Sequence, residues 1–198
     1  MSKQTKDRVK EVARVLFAVN GYDATTMDQI AAGVGIKKPT LYAYISSKEE
    51  LFLSIYSELE NDYRSYMEQV IAETEGMAPP ERLYYLFKQY IIYSTRDMET
   101  AILWNRILFF PPAFLKDELA SRVFSNEMQL GRKLMAIIRE GIDQGLLRKA
   151  PPEEVLFAYY SLREGVLALL LAFKRPEEEN ARRVDIAWQN FWFGIKEK

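Results

Sequence analysis

The sequence predicts an all-α protein of about nine helices, and three observations support that prediction. Apolar residues recur at helical spacing along nearly all of the 198 residues. No segment shows the strict apolar and polar alternation that is typical of a half-buried strand. Hydrophobic residues make up 48% of the chain, which is enough for a substantial core, and Gly and Pro are too few for a disordered chain.

The first two helices are indicated by their end signals as well as by periodicity. The first helix runs from about residue 3 to residue 19, and Asn20-Gly21 ends it. A capping box of Thr26 and Gln29 then begins the second helix. Its apolar face is the set Met27, Ile30, Ala31 and Val34. We expect Gly33 and Gly35 to interrupt this helix, because Gly adopts the positive φ that a tight turn requires.

A short third helix follows and presents polar side chains. Lys38-Pro39 begins it, since Pro is tolerated at the first helical position. We expect Leu41 and Ile45 to point inward, and the outward set is Lys37, Lys38, Thr40, Tyr42, Ala43 and Tyr44. Ser47 and Glu50 form a second capping box that opens the fourth helix, with Lys48 near its N-terminus. Two helices, a tight turn and a short polar helix predict a helix-turn-helix.

This segment resembles the DNA-binding domain of TetR-family transcriptional regulators. The matching positions are Thr26, Ile30, Ala31, Gly35, Ile36, Leu41, Tyr42, Tyr44, Lys48 and Leu51. Ile45 departs from the pattern, because the family usually has Phe there. The resemblance implies an N-terminal helix-turn-helix three-helix domain at residues 1–48 and a C-terminal helical ligand-binding and dimerisation domain at residues 49–198. Beyond residue 60 the resemblance is one of layout only.

The distribution of charge agrees with a DNA-binding segment at the N-terminus. Residues 1–48 carry eight Lys and Arg and four Asp and Glu, a net charge of +4. Residues 51–198 carry nineteen and twenty-two, a net charge of −3. The overall charge of −1 therefore conceals a basic segment that would attract phosphate, although an uneven charged surface could arise by chance.

Nine residues are candidates for DNA contact. The set is Thr26, Lys37, Lys38, Pro39, Thr40, Tyr42, Ala43, Tyr44 and Lys48. Lys37, Lys38 and Thr40 could reach base edges, whereas Pro39 and Ala43 offer only apolar contact. We expect Tyr42, Tyr44 and Lys48 to bind phosphates. The alternatives are that Tyr42 is a half-buried packing residue and that Lys48 is an ordinary solvated cation.

The rest of the chain predicts the end of the fourth helix and five further helices. The fourth helix continues to about residue 70, and the segment at residues 76–80, which contains Gly76 and two prolines, breaks the chain. The later helices are predicted at residues 81–94, 96–110, 113–144, 152–173 and 177–195.

The eighth helix carries a stripe of small residues at heptad-like spacing. The stripe is Ala158, Ser161, Gly165, Ala168 and Ala172, and small residues permit close approach of another helix. The last helix supplies large residues at matching periodicity, namely Val184, Trp188, Phe191 and Ile195. TetR-family proteins dimerise through their last two helices, so the resemblance implies a homodimer interface here. The alternative is that the stripe packs against another helix of the same subunit.

Aromatic residues and methionines on inward stripes are candidates for a ligand pocket. They are Tyr63, Met67, Phe87, Tyr90, Trp104, Phe109, Phe110, Met128, Met135 and Tyr159. Rings and thioethers would favour an apolar or amphipathic ligand, although each of these residues could equally fill the core. Arg163 could bind an anionic group of a ligand, or it could form a structural pair with a carboxylate on another helix.

Several classes of function are disfavoured by composition. The chain has no His and no Cys, which excludes Ser-His-Asp triads, thiolate zinc sites and disulfides. We expect no catalytic residues, no metal and no cofactor. The longest uncharged apolar runs, residues 107–115 and 165–173, are too short to span a membrane. We therefore expect a cytoplasmic protein.

The preferred interpretation is a ligand-responsive repressor that binds a near-palindromic DNA operator as a homodimer and is released by a small-molecule inducer. The alternative is a DNA-binding protein of the same fold that a protein partner controls, or that has no inducer.

Overall fold

The all-α architecture is confirmed. The structure, a computed structural model, describes residues 3–173 and 175–197, with side chains except those of residues 3, 119–120 and 123–128. The helices are α1 (Lys3–Ala24), α2 (Met27–Val34), α3 (Lys38–Tyr42), α4 (Lys48–Glu73), α5 (Pro79–Thr95), α6 (Met98–Phe109), a 3₁₀ turn (Ala113–Leu115), α7 (Lys116–Asp143), α8 (Pro152–Ala172) and α9 (Glu177–Ile195). Within this described part, β-pairing is limited to one bridge between Leu147 and Lys196.

The turns around α2 form largely as the sequence predicts. Gly21 leaves the helical conformation with a φ of 81°. The Thr26 hydroxyl oxygen accepts a hydrogen bond from the backbone N–H of Gln29. The side-chain oxygen of Gln29 accepts one from the backbone N–H of Thr26, so the capping box is complete. Gly35 ends α2 in the left-handed conformation, with a φ of 79°. The prediction that Gly33 also interrupts the helix is wrong.

Gly33 serves close helix packing instead. It lies within α2, and a Cβ atom at this position would approach Cγ1 of Val12 on α1 to 2.6 Å. That separation is too short for ordinary carbon atoms. Gly33 therefore lets α1 and α2 approach each other closely.

The cap at the start of α4 differs from the predicted capping box of Ser47 and Glu50 in one hydrogen-bond partner. The Glu50 amide donates to Oγ of Ser47 over 3.0 Å, as expected. The Glu50 carboxylate, however, accepts from the amide of Ser46 rather than from that of Ser47. The Ser46 hydroxyl donates to the same carboxylate, and these bonds hold the pKa of Glu50 below its usual value. The bonds tie the segment after α3 to the first turn of α4.

The chain divides into two compact units, and the division differs from a boundary at residue 48. The first unit contains Met1–Arg64 and Asp97–Arg122, and the second contains Ser65–Arg96 and Val123–Lys198. Helix α6 belongs to the first unit because it packs along α1. Arg106 of α6 donates to the carbonyl oxygens of Ala18 and Val19 at 2.7 and 2.9 Å. That residues 1–48 form the DNA-binding domain stays a prediction.

One described helix, α8, is long and apolar enough by length and composition to cross a membrane, with a mean hydropathy of 1.5. Core helices of soluble proteins meet the same criterion. In this fold Val155, Tyr159, Arg163 and Leu167 of α8 are buried, and the helix packs against α5 and α9. The apolar residues of α8 therefore lie on a buried face and also on an exposed face, which includes Phe157 and Leu169.

Candidate functional site

Helix α3 presents the predicted polar face. Leu41 and Ile45 are fully buried and anchor the helix and the turn after it. Lys37, Lys38, Pro39 and Ala43 are exposed, Thr40 is half-buried, and Tyr42 is 46% exposed. The exposure of Tyr42 argues against the alternative that it is mainly a packing residue. This face offers two cations, a hydroxyl and a phenol to solvent, which suits contact with phosphates and base edges.

Lys38 makes an exposed ion pair with a neighbouring helix. Its Nζ lies 2.7 Å from Oδ2 of Asp28 on α2, and both side chains are largely open to solvent. The hydrogen bond to Asp28 raises the pKa of Lys38 above its usual value, so the side chain is a cation at neutral pH. An exposed pair of this kind exchanges partners readily, so a phosphate or a guanine can replace Asp28.

The expectation that Tyr44 binds phosphate is corrected by its burial. The side chain is half-buried, and its hydroxyl oxygen is enclosed without a hydrogen-bond partner among the described residues. The residue follows α3 between the exposed Ala43 and the buried Ile45, so its ring turns partly into the domain. An enclosed hydroxyl cannot reach a phosphate on the surface, and Tyr44 is removed from the candidate contacts.

Lys48 joins the start of α4 to the connection between α1 and α2. Its Nζ donates to the carbonyl oxygens of Tyr22 and Thr25 at 2.8 and 2.9 Å. The ammonium group also lies 4.1 Å from the centre of the Tyr22 ring. The alternative of an ordinary solvated cation is therefore wrong. An ammonium group has three N–H donors, so one is left for a phosphate at this end of the helix.

The predicted pocket residues fall into both units, and those in the first unit divide into two groups. Trp104 of α6 lies between two rings of α4, with ring centres 5.9 Å from Tyr56 and 6.1 Å from Tyr63. Phe109, in contrast, is 64% exposed at the last residue of α6, and Phe110 is more exposed still. The prediction that Phe109 lines a pocket is wrong, because its ring faces solvent where the helix ends.

In the second unit, Phe87 and Tyr159 belong to an aromatic core. Both are buried against Trp188 of α9, with ring centres 5.6 and 6.4 Å from it. The Tyr159 hydroxyl donates to the Leu83 carbonyl oxygen over 3.1 Å. Burial raises the pKa of this phenol well above its usual value, so it stays a neutral donor. These contacts support the core alternative for Phe87 and Tyr159.

Arg163 lies between two tyrosine rings. Its guanidinium carbon is 4.1 Å from the ring centre of Tyr90 and 4.5 Å from that of Tyr160. Its Nε donates to the Glu164 carboxylate over 2.8 Å. The carboxylate also accepts from the Tyr90 hydroxyl. A structural pair is thus present with Glu164, the adjacent residue of α8.

The three methionines predicted to line a pocket lie in α4 and α7. Met67 is buried and Met135 is half-buried, both in the second unit. The side chain of Met128 lies outside the described residues.

A cleft of about 180 Å³ lies between α1 and α4 in the first unit. Its lining is mostly charged (Asp7, Lys10, Glu11, Arg14, Ile55, Glu58 and Leu59) and contains none of the predicted pocket residues.

The small-residue stripe of α8 is open to solvent. Ala158 is half-buried, whereas Ser161, Gly165, Ala168 and Ala172 are exposed. A Cβ atom at Gly165 would meet nothing within 4 Å. Large exposed apolar side chains flank the stripe, namely Phe157, Leu169 and Phe173. The alternative that the stripe packs within the same subunit is therefore wrong for its exposed members.

The part of the interface that was predicted on α9 needs correction. Val184, Trp188 and Ile195 are buried, and Phe191 is half-buried with its ring 5.4 Å from Trp188. Burial of Val184, Trp188 and Ile195 on the core face of α9 counts against a place for these three in the interface. The outward face carries Ile186 and Phe193 instead, which are 46% and 66% exposed. Periodicity alone finds an apolar stripe but does not tell an inward stripe from an outward one.

A polar cluster inside the first unit is not apparent from the sequence. Glu60 of α4 is only 8% exposed, and Arg122 of α7 donates to its carboxylate. The Tyr56 hydroxyl donates to the same carboxylate over 3.3 Å. The spacing of Tyr56 and Glu60 along α4 was a weak local signal. Arg122 lies 62 residues further along the chain, and no local pattern connects it to Glu60.

Comparison with known proteins connects this geometry to a family. The sequence profile described as "Bacterial regulatory proteins, tetR family" matches residues 11–55. The chain is 33% identical over 84 residues to the biofilm operon icaADBC HTH-type negative transcriptional regulator IcaR of Staphylococcus epidermidis. That match covers 42% of this chain and 44% of the relative.

Two further comparisons extend over most of the chain. It is 22% identical over 210 residues to the HTH-type transcriptional regulator SrpR of Pseudomonas putida, covering 99% of this chain and 87% of that protein. The fold is similar to the crystal structure of AibR in complex with isovaleryl coenzyme A and operator DNA, with a TM-score of 0.69. Identity to AibR is 24%, and the alignment covers 92% of this chain and 97% of AibR.

Proposed function

Because this chain belongs to the TetR family of bacterial transcriptional regulators, we propose that it represses transcription by binding an operator as a homodimer. A small apolar or amphipathic ligand releases it. The observation that carries the proposal is the exposed polar face of α3, held on the buried Leu41 and Ile45 within the matched segment. No catalytic role is proposed, and the related proteins are transcriptional regulators.

Each candidate contact has a distinct role in this proposal. Lys37, Lys38 and Thr40 read base edges in the major groove, where lysine favours the acceptors of guanine. Tyr42 and Lys48 bind phosphates and set the position of α3, because phosphate contacts orient a protein on the duplex. Thr26 supplies the capped N-terminus of α2, whose amide groups favour an anion. Pro39 and Ala43 give apolar contact.

The exposed face of α8 and α9 forms the homodimer interface in this proposal. Ser161, Gly165 and Ala168 allow close approach of a partner helix, and Phe157 and Phe193 supply large apolar area beside them. A twofold axis would place the same face of a second copy against it. The family resemblance supports a second copy rather than another protein as the occupant. Two linked copies then present two equivalent α3 helices to DNA.

A ligand in the helices after α3 would change the spacing of the two α3 helices. Helix α4 begins next to the DNA-binding segment, and its residues run from the first unit into the second. A ligand shifts the population only if it prefers one conformation. AibR has been crystallised with both an acyl coenzyme A and operator DNA, which makes an amphipathic ligand a reasonable choice. The alternative is control by a protein partner or the absence of an inducer.

Footprinting and ligand screening together test the proposal. The operator should be a near-palindrome with half-site centres roughly 34–36 Å apart or a multiple of that distance. Full-affinity binding to a single asymmetric half-site would contradict the dimer model.

A compound that releases operator should also raise the melting temperature of the free protein, because binding and release are thermodynamically linked. If only hydrophilic metabolites act, or no compound acts, the inducer part of the proposal is wrong.

A further inference from the structure

The charged cleft between α1 and α4 lies wholly within the first unit, and the proposed function uses none of its lining residues. We call it the α1–α4 cleft, and its lining is Asp7, Lys10, Glu11 and Arg14 of α1 with Ile55, Glu58 and Leu59 of α4. Its volume is about 180 Å³. Pockets for drug-sized ligands usually have volumes of about 300–1,000 Å³, so the α1–α4 cleft suits a smaller molecule.

The two walls of the cleft differ in chemistry. The four lining residues of α1 follow one another at i, i+3, i+4 and i+7, so they share one face of the helix. Their charges alternate along that face, which begins at Asp7 and ends at Arg14. The opposite wall contains Ile55, which is buried, and Leu59, which is half-buried. Because charged groups lose hydration when two helices close on each other, the charged wall favours an open cleft here.

The two cations of the cleft are more enclosed than its carboxylates. The side chain of Lys10 is 16% exposed, and that of Arg14 is 28% exposed. The side chain of Glu58 is 61% exposed, and Asp7 and Glu11 are exposed as well. A molecule in the cleft would therefore meet cations and apolar groups in its deeper part and carboxylates near its opening.

Both cations have capacity for a further partner. Nη1 of Arg14 donates to the Asp97 carboxylate and to the Thr100 hydroxyl at the start of α6. A guanidinium has five N–H donors, and these two bonds use one nitrogen. Lys10 donates to Glu58, but an ion pair with so exposed a carboxylate contributes little to stability. A ligand carboxylate can therefore take the place of Glu58 at low cost and bind both cations.

The carboxylates near the opening select the other end of the ligand. Asp7 and Glu11 form no ion pair within the part of the chain that the structure describes. They lie one helical turn apart, so one ammonium group can contact both. A simple anion would be repelled by these carboxylates, and a simple cation would be repelled by the two enclosed cations. A zwitterion satisfies both signs, and an aliphatic group on it would cover the apolar wall.

We propose that the α1–α4 cleft binds a small zwitterion of the class of the aliphatic α-amino acids. The ligand carboxylate binds Lys10 and Arg14, its ammonium group binds the two carboxylates near the opening, and its aliphatic group packs on the apolar wall of α4. The site goes beyond the proposed function, because it exists whether or not an inducer releases the protein from DNA. The alternative is a groove that only water occupies.

Titration calorimetry of the full-length protein with L-leucine and two analogues tests the site. 4-Methylpentanoic acid lacks the ammonium group of leucine, and 3-methylbutylamine lacks its carboxylate, so the three ligands share one aliphatic group. Leucine should bind at least about tenfold more tightly than either analogue, because each analogue leaves charged groups of one sign without a partner. Equal binding of the three ligands, or no binding of leucine at about 10 mM, would overturn the proposal.

A double variant connects the binding to the carboxylates of the cleft. Asp7→Asn with Glu11→Gln should weaken leucine binding at least about tenfold, and it should strengthen binding of 4-methylpentanoic acid because the repulsion of an anion is removed. Both residues are exposed, so the variant should fold. Glu68→Gln with Glu75→Gln changes two exposed carboxylates outside the cleft, and this matched control should alter neither affinity.

Lys10→Met tests the opposite end of the ligand. It keeps an unbranched side chain on the charged wall but removes the cation, so leucine should bind at least about tenfold more weakly while 3-methylbutylamine loses no affinity. Thermal unfolding without ligand checks that each variant is folded. If leucine binds equally well to the unaltered protein, to the double variant and to Lys10→Met, its site lies elsewhere and the assignment to the α1–α4 cleft is wrong.

Discussion

Helices α3 and α8 both expose one face to solvent, and the two faces have opposite chemistry. The face of α3 carries Lys37, Lys38 and Tyr42, whereas that of α8 carries Phe157, Gly165 and Leu169. The first face gains nothing from leaving water unless a partner supplies negative charge. The second gains from burial against any close-fitting apolar surface. Exposure alone therefore does not identify the partner of a face, but the chemistry of its exposed side chains indicates the class of partner.

The largest effect is expected from placing a charge on the face of α8. Phe157→Lys should weaken dimerisation by at least about 30-fold, since the loss of a central aromatic contact costs about 2 kcal/mol or more. Phe109→Lys is the matched control, because Phe109 is an exposed phenylalanine at the end of α6. Sedimentation velocity would distinguish monomer from dimer. A stable dimer for Phe157→Lys would remove α8 from the interface, and the comparison of the two faces would fail.

The next effect concerns the packing that supports the polar face. Gly33→Ala should destabilise the protein by about 1–3 kcal/mol, because the new methyl group overlaps Val12 of α1. Gly194→Ala provides the contrast, since nothing lies within 4 Å of the corresponding position on α9. There the better helix propensity of Ala should stabilise by about 0.5–1 kcal/mol. Thermal unfolding of both variants should give shifts of opposite sign, and equal shifts would refute the close approach of α1 and α2.

Lys48→Ala tests whether one residue serves both structure and DNA binding. Loss of its bonds to Tyr22 and Thr25 should lower the melting temperature. Loss of one phosphate contact per subunit should also reduce the salt slope of operator binding by about 2 per dimer. Lys133→Ala, an exposed lysine of α7, should change neither quantity. A lower melting temperature with an unchanged slope would assign Lys48 a purely structural role.

The smallest effects should separate two kinds of contact on the face of α3. Tyr42→Phe should weaken binding to every DNA sequence by a similar factor, about three- to tenfold, because it removes a phosphate hydrogen bond. Lys38→Ala should instead relax the preference at one or two base pairs of each half-site. Selection from a randomised operator library would measure both. An unchanged sequence preference for Lys38→Ala would place Lys38 among the phosphate contacts.

Local rules predicted most of the DNA-binding segment correctly. The capping box of Thr26 and Gln29, the left-handed Gly35 and the buried pair Leu41 and Ile45 all depend on residues within a few positions of one another. Such features follow from hydrogen-bonding capacity and backbone freedom, which the sequence states directly. The same rules predicted the bounds of α9 at residues 177–195.

The errors share a different physical origin. Local rules predict a turn at Gly33, because they do not reveal that Val12 of another helix lies against it. The periodicity of α9 predicts Trp188 in a dimer interface, because periodicity does not reveal that Phe87 and Tyr159 pack against it. Tyr44, which is predicted to be exposed, has an enclosed hydroxyl, and Phe109, which is predicted to be buried, is exposed. For Gly33 and Trp188 the answer depends on a neighbour that is distant in sequence.

By itself, the sequence determined which segments of this protein form helices and which short segment carries an exposed polar face. Only the tertiary structure decided which stripe of α9 is core, that α6 belongs with the DNA-binding segment, and that Arg122 compensates Glu60. Helix ends are set by hydrogen bonds between residues a few positions apart. The partner of a helix face, or of a buried charge, is set by packing and desolvation across the whole fold.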